Sequence, residues 1–392
     1  MSIAVKNNTV YAVEVEVTEG TYVAPSAATS YVQTLSDGAE ITPAKELLER
    51  NIFNGSIGKT TPRTGQKSVS GSLPVEMRAG ETEGAIPEYD AVMRSAMGSR
   101  KTTAAVTSST GHTTTVIQIE DADIADFLVN DIVLIKEAGA YHVSPVTAVD
   151  PTPAAANITI LVPMASAPAD NVEIASSVTY NVANSGHPSL SISKYVESAV
   201  LEQGTGNRVT SMSLDNFTTG QLASFNFGFE GLSFDRSVTP SPFTPDYQDT
   251  LPPIILSACV YQDEVKIPVN ELSFSLENSL GFVTSTCSPN GRISSRVTER
   301  TVSGSFNPYK QDDSVDQFDK FNTNSQYSVF ASAHNPTAVD GEYEQVVAVY
   351  MPSCLTTEIG EGDQDGLLQD AVSFSANKGS DSSVDELVIV VF

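Results

Sequence analysis

The chain has 392 residues, an ordinary apolar share of 40%, and a net charge of −27 from 21 basic and 48 acidic side chains. So acidic a balance repels nucleic acid and excludes the basic footprint of a DNA-reading protein. Only 18% of residues are charged, below the usual quarter, so Ser, Thr, Asn and Gly carry much of the polar surface, as in turn-rich β proteins.

The N-terminus, Met1-Ser-Ile-Ala-Val-Lys-Asn-Asn, has no basic stretch leading into an apolar run, so no signal peptide is expected. No apolar stretch approaches bilayer length. A protein made and folded in a cytoplasm, with no membrane partner, is the expectation.

Strand signals then dominate in chain order. Val10–Val17 reads VYAVEVEV and Ser68–Met77 reads SVSGSLPVEM, both with period two. Ile86–Met97 (IPEYDAVMRSAM) has helical spacing, with Gly98 as its stop. Several short strands follow over Thr113–Val178, the pattern of a small inserted β-barrel. Val209–Leu214 and Ser224–Gly231 resume the strands, the second placing Phe225, Phe227 and Phe229 on one face. Prolines recur through Ser237–Pro253 and keep that stretch extended, as in a linker. Leu272–Leu276, Val297–Phe306, Glu344–Met351 and Glu386–Phe392 read as further strands, and Val315–Phe330 as a second helix carrying Phe318, Phe321 and Tyr327.

The sequence before each helix repeats. Lys67-Ser-Val-Ser-Gly-Ser-Leu precedes the first and Arg300-Thr-Val-Ser-Gly-Ser-Phe the second, each after a polar, Gly- and Thr-rich stretch. The repeat is long, so it suggests two related sandwich halves rather than a solenoid. The expected organisation is all-β: a first unit over 1–100 and 181–236, an inserted barrel at 101–180, a linker at 237–253 and a second unit over 254–392. Gly71 and Gly304 occupy matching strand positions, where glycine marks a bulge or a close backbone approach. The sharper reading has each strand bend into an extended hairpin that pairs with a neighbouring subunit. Val69, Gly71 and Leu73, with Val302, Gly304 and Phe306, are then the candidate interface residues.

Chemistry-bearing motifs are sparse. Cys259, Cys287 and Cys354 lie far apart without CxxC spacing, so they read as small buried hydrophobes in a reducing cytoplasm. His112, His142, His187 and His334 are scattered, without metal-ligand spacing. Glu358, Glu361, Asp363 and Asp365 only partly resemble a calcium loop and read better as a solvated or channel-facing acidic loop. There is no GxSxG elbow, GxGxxG or P-loop. No enzyme, cofactor or metal is expected.

Arg63-Thr-Gly-Gln-Lys-Ser-Val-Ser-Gly-Ser-Leu-Pro-Val-Glu-Met-Arg, followed by Pro87-Glu-Tyr-Asp-Ala-Val-Met-Arg-Ser-Ala-Met-Gly, resembles the major tail tube proteins of long-tailed, non-contractile bacteriophages (siphophages). So do Asn207-Arg-Val-Thr-Ser-Met-Ser-Leu, Phe225-Asn-Phe-Gly-Phe-Glu-Gly, and the stretch from Tyr350-Met-Pro-Ser-Cys through Asp363-Gln-Asp-Gly-Leu-Leu-Gln-Asp-Ala-Val-Ser-Phe. The resemblance covers most of the chain outside the inserted barrel. It implies β-sandwiches, each with one flanking helix, whose inner sheet joins its neighbours' around a lumen. Single-unit members form hexameric rings and fused double units form pseudo-hexameric trimers; the duplication favours the trimer. It also implies an outer position for the inserted barrel and a virion location after assembly in the host cytoplasm. The implied partners are further copies of the chain, the tape measure protein, and the tail terminator and distal tail proteins. DNA passes through the lumen without specific binding, and a negative wall would give it no counterion-release attraction. Two alternatives stay open: another tail ring component such as a terminator or distal tail protein, or a carbohydrate-binding β-sandwich adhesin.

Overall fold

The computed structural model describes residues 5–392 apart from 54, 56, 138–139, 198–199, 257, 289, 311–316, 335–344 and 381–384. Its principal elements are β1 (Thr9–Val15), β2 (Glu40–Leu48), β3 (Arg63–Glu76), α1 (Asp90–Met97), β4 (Gly98–Thr103), β5 (Ser177–Val182), β6 (Leu190–Val196), β7 (Val200–Asp215) and β8 (Ser224–Gly231). The second half contributes β9 (Val269–Thr284), β10 (Arg292–Pro308), α2 (Gln317–Thr323), β11 (Tyr327–His334), β12 (Val346–Gln364), β13 (Leu367–Ala376) and β14 (Val388–Val391). The fold is all-β, with two α-helices among the described residues.

One layer is a curled antiparallel sheet in the order β2-β3-β8-β7-β9-β10-β13-β12. A facing layer runs β4-β5-β14-β12-β11, so the final strand β14 sits between strands of the two halves. Alternation places Phe225, Phe227 and Phe229 of β8 and Phe274, Phe306 and Phe374 of the second half inward. They meet in one apolar core drawn from both halves, which welds the two units together. α1 lays Val92, Met93, Ala96 and Met97 on this core. It ends at Gly98, whose φ of 96° is the left-handed cap conformation that glycine adopts without strain.

The inserted segment runs between Thr103 and Ser177, which pair directly with each other in the β4–β5 ladder. It forms a separate six-stranded sheet, whose end strands Val106–Thr107 and Val116–Gln118 are not paired with each other among the described residues, with its own core around Ile117, Phe127, Ile135, Val146 and Ile158. It leaves the first unit yet seats on the second: Ile132, Leu134 and Val162 pack against Phe330, Tyr350, Val390 and Phe392.

Two local expectations need correction. The second helix covers only Gln317–Thr323, and Tyr327 begins a strand. Asn324 takes a left-handed φ of 52°, which ends the helix, and Tyr327 and Val329 then alternate into the core opposite Cys354 and Met351. The helix start expected at 315–316 and Glu344 lie outside the described residues. The first helix begins at Asp90 rather than Ile86, because Pro87–Asp90 is a turn closed by the Asp90 N–H donating to the Pro87 carbonyl at 3.0 Å.

Candidate assembly surface

The duplication extends to individual strand pairs. In the first unit Gly71 lies opposite Ile41 on one side and Phe229 on the other. In the second, Gly304 lies opposite Phe274 and Phe374. Val69 and Leu73 face Gly231 and Phe227; Val302 and Phe306 face Ala376 and Val372. Each unit also carries one β-bulge at the same place: Thr210 is the extra residue between Val209 and Ser211, Thr357 that between Thr356 and Glu358. The two glycine positions carry no register shift. Gly71 and Gly304 are there for close approach, since a β-carbon at either would come 2.5 Å from the ring of Phe229 or Phe374.

Val69, Leu73, Val302 and Phe306 are core residues, none more than 2% exposed. Their strands β3 and β10 already have partners on both sides within the chain. The open side of the first hairpin therefore lies one strand further out, on β2. At the far end of the sheet, residues 358–364 of β12 pair, among the described residues, with β13 alone. Among the described residues, both edges present backbone N–H and C=O groups that no neighbouring strand pairs, the liability that proteins cover or use.

Burial shows what each edge lacks. In β9, which is covered by β7, Leu272, Phe274, Leu276 and Asn278 alternate as buried residues. The corresponding stretch of β2 is exposed everywhere except Ile41. In β7, Met212 and Leu214 are buried; at the corresponding places of β12, Ile359 is half-buried and Glu361 exposed.

The sheet face turned away from the core is polar. Glu40, Ser72, Gly228, Ser211, Glu277 and Thr301 follow one another across six strands in one row. Pro74, Asn226, Ser213, Ser275, Ser303 and Ser375 form the next. Hydroxyl pairs tie the strands along this face, Ser273 with Ser305 at 2.9 Å and Ser275 with Ser303 at 3.2 Å. These two rows contain carboxylates and no lysine or arginine. Partial burial pushes the Glu277 carboxyl above its ordinary range.

Two ion-pair networks brace the sheet, and neither was visible in the sequence. Glu19 accepts from Arg208 at 2.7 Å and from the Ser295 hydroxyl at 3.1 Å, tying an N-terminal loop to β10. Burial opposes ionisation of Glu19, but the Arg208 guanidinium and the Ser295 donors outweigh it and hold the carboxyl below its usual range. Arg78 pairs with Glu88 in a nearly dry site and donates to the Gln248 carbonyl at 3.0 Å, strapping the proline-rich segment across the first unit.

The remaining candidate residues are dispersed. His187 bridges the carbonyls of Ser95 and Ala183, and His142 bonds the Val162 carbonyl. Of the three cysteines expected to be buried, Cys354 is in the core, but Cys259 is only half-buried and Cys287 is exposed. The acidic run at 358–365 is not a loop. It forms the end of β12 and a tight turn in which Asp365 and Gly366 both have positive φ. Among the described residues, no group of three or more His, Cys, Asp or Glu side chains could hold a metal ion, and no helix is long and apolar enough to cross a membrane.

No curated protein matches the chain. The family profile described as phage tail tube protein matches residues 6–376. Because that match spans nearly its whole length, the chain belongs to the phage tail tube protein family.

Proposed function

We propose that this protein is the subunit of a siphophage tail tube, in which β2 of one copy meets β12 of the next so that the curled sheets close into a hollow cylinder. The observation that carries this reading is the eight-stranded sheet itself. It already joins two equivalent units through β7 and β9, and it ends on two edges of the same kinds as those joined. Three chains supply six units, which makes a trimeric, pseudo-hexameric ring. Closure removes the edges laterally, whereas ring-on-ring stacking is heterologous and open and so builds a filament.

The serine-rich face lines the lumen in this arrangement. The two central rows of that face carry carboxylates and no lysine or arginine, so DNA slides past them without counterion release. The lumen holds the tape measure protein before DNA passage. The terminator and distal tail proteins cap the tube, assembly takes place in the host cytoplasm, and the barrel decorates the outside. The subunit is structural and carries out no catalysis.

Electron microscopy of the purified protein at high concentration tests the reading. Long hollow filaments with three chains per ring are expected. Single rings that never stack would indicate a terminator or distal tail component, and a compact monomer at all concentrations would refute the reading.

A further inference from the structure

The chain contains one finished copy of the joint that the tube would need. There Ser211 lies opposite Glu277, Met212 opposite Leu276, Ser213 opposite Ser275 and Leu214 opposite Phe274. The shared bulge aligns β7 with β12, so Ser211, Met212, Ser213 and Leu214 correspond to Glu358, Ile359, Gly360 and Glu361. The shared glycine pairing aligns β9 with β2, so Phe274, Ser275, Leu276 and Glu277 correspond to Ile41, Thr42, Pro43 and Ala44.

We infer that a second copy of this chain completes the β12 edge in one register: Glu358 opposite the partner's Ala44, Ile359 opposite the partner's Pro43, Gly360 opposite the partner's Thr42, and Glu361 opposite the partner's Ile41. This rests on the tube reading and goes further by fixing residue-to-residue pairing.

The side chains suit that register. Ile359 already leans on the core and meets Pro43 as Met212 meets Leu276, an apolar pair in both cases. Gly360 offers bare backbone, because a β-carbon there would meet nothing nearer than 3.7 Å. It stands opposite a small threonine. Glu361 comes beside Ile41, a costly place for a free carboxylate, but Lys310 holds it at 2.9 Å. A slip of one residue would turn Ile359 and Ile41 to opposite faces of the sheet and strand both.

Disulfide trapping reads the register directly. Directly opposed residues of antiparallel strands have Cα atoms roughly 4.5–5.5 Å apart, within disulfide reach. In a Cys287→Ser background, Thr42→Cys with Gly360→Cys is oxidised after assembly and run on a non-reducing gel. The expected result is chain-to-chain crosslinking that stops at a closed ring. Ala44→Cys with Gly360→Cys, out of register, should crosslink at least about ten-fold less. Ser213→Cys with Ser275→Cys should close within one chain, confirming that the geometry permits the bond.

Should microscopy show rings while the first pair stays uncrosslinked, or the second links equally well, the register is overturned and the tube reading survives. Absence of rings from the unmodified protein overturns both. Hydrogen exchange on the unmodified protein gives a second reading without any substitution. Segments 40–46 and 356–363 should gain about ten-fold protection on assembly, whereas 273–279 should be protected in both states. Unchanged exchange at 40–46 in assembled rings would overturn the pairing independently.

Discussion

A β-carbon placed on Gly71 would come 2.5 Å from Phe229 Cζ, and one placed on Gly304 would come 2.5 Å from Phe374 Cζ. In each unit the glycine also faces a backbone carbonyl of the hairpin partner, Glu40 or Ser273. The tip of the ring therefore reaches the glycine of the neighbouring strand, and the space beside the glycine is filled from two sides. Neither glycine has a positive φ, so the requirement is for room and not for backbone freedom.

Gly71→Ala and Gly304→Ala should consequently destabilise the fold to similar degrees, each by roughly 1–3 kcal/mol, as overpacking does when a backbone atom cannot move aside. Urea midpoints of the two variants check this. Trimming the ring as well, with Phe374→Leu on Gly304→Ala, should recover only part of the loss because the Ser273 carbonyl stays in place. A neutral Gly304→Ala would mean the contact is looser than it stands.

The Glu19–Arg208–Ser295 network gives a pH signature. Glu19 is held below the ordinary carboxyl range when folded, so on acidification the unfolded chain takes up its proton first. Stability from this group is complete above about pH 4.5, the range of a free carboxyl, and is lost as pH falls through the folded value. Both side chains of the Glu19–Arg208 pair are mostly buried, at 14% and 6% exposure. Glu19→Gln should cost about 1–3 kcal/mol at pH 7, the range for a hydrogen bond to a charged group. Denaturation of both proteins between pH 7 and pH 3 checks the sign: the gap between them should close on acidification, and a constant gap would assign the effect to packing.

How far the sequence foretold this fold depended on distance along the chain. The VSGS repeats, the Phe225-Phe227-Phe229 stripe and the Gly98 cap are local patterns, and each appeared in the expected element. The length of α2 was misjudged because the Phe318–Phe321 spacing reads on towards Tyr327, and only the left-handed turn at Asn324 reveals the break. The open edges of the large sheet could not be read from the sequence. Val69 and Val302 look like hairpin residues, but β8 and β13 return from far along the chain to cover them. The open strand β2 is the one whose pattern looks least like a buried strand, because among the described residues it pairs with β3 alone and is exposed everywhere except Ile41. Pairing of Glu19 with Arg208 spans 189 residues and leaves no trace in spacing.

The seat of the inserted barrel leads to a deletion experiment. Thr103 and Ser177 are paired neighbours, so replacing residues 104–176 with an Asn-Gly turn should leave β4 and β5 as a hairpin. What the deletion removes is the cover over Phe330, Tyr350, Val390 and Phe392. The shortened chain should fold with native-like β circular dichroism, yet bind a hydrophobic dye and self-associate. A monomeric, dye-silent product would show that the barrel protects nothing on the second unit.

The polar face of the large sheet allows the lumen to be tested by charge. Ser275 and Ser303 sit side by side in its serine row, their hydroxyls 3.2 Å apart, and the row contains no cation. In a tube the substitutions repeat in every ring, so Ser275→Arg with Ser303→Arg would line the bore with stacked cationic collars. DNA in such a bore would release counterions and be retained, with an affinity that falls steeply as salt rises. Assembled wild-type tubes should show no salt-dependent uptake of short duplex DNA, and tubes of the double variant should. Like charges facing one another across strands also cost roughly 0.2–1 kcal/mol, so the variant's midpoint in urea should drop slightly while its tubes still form. Salt-dependent uptake by wild-type tubes, or none by intact variant tubes, would place this face away from the channel and return the polar rows to ordinary outer surface.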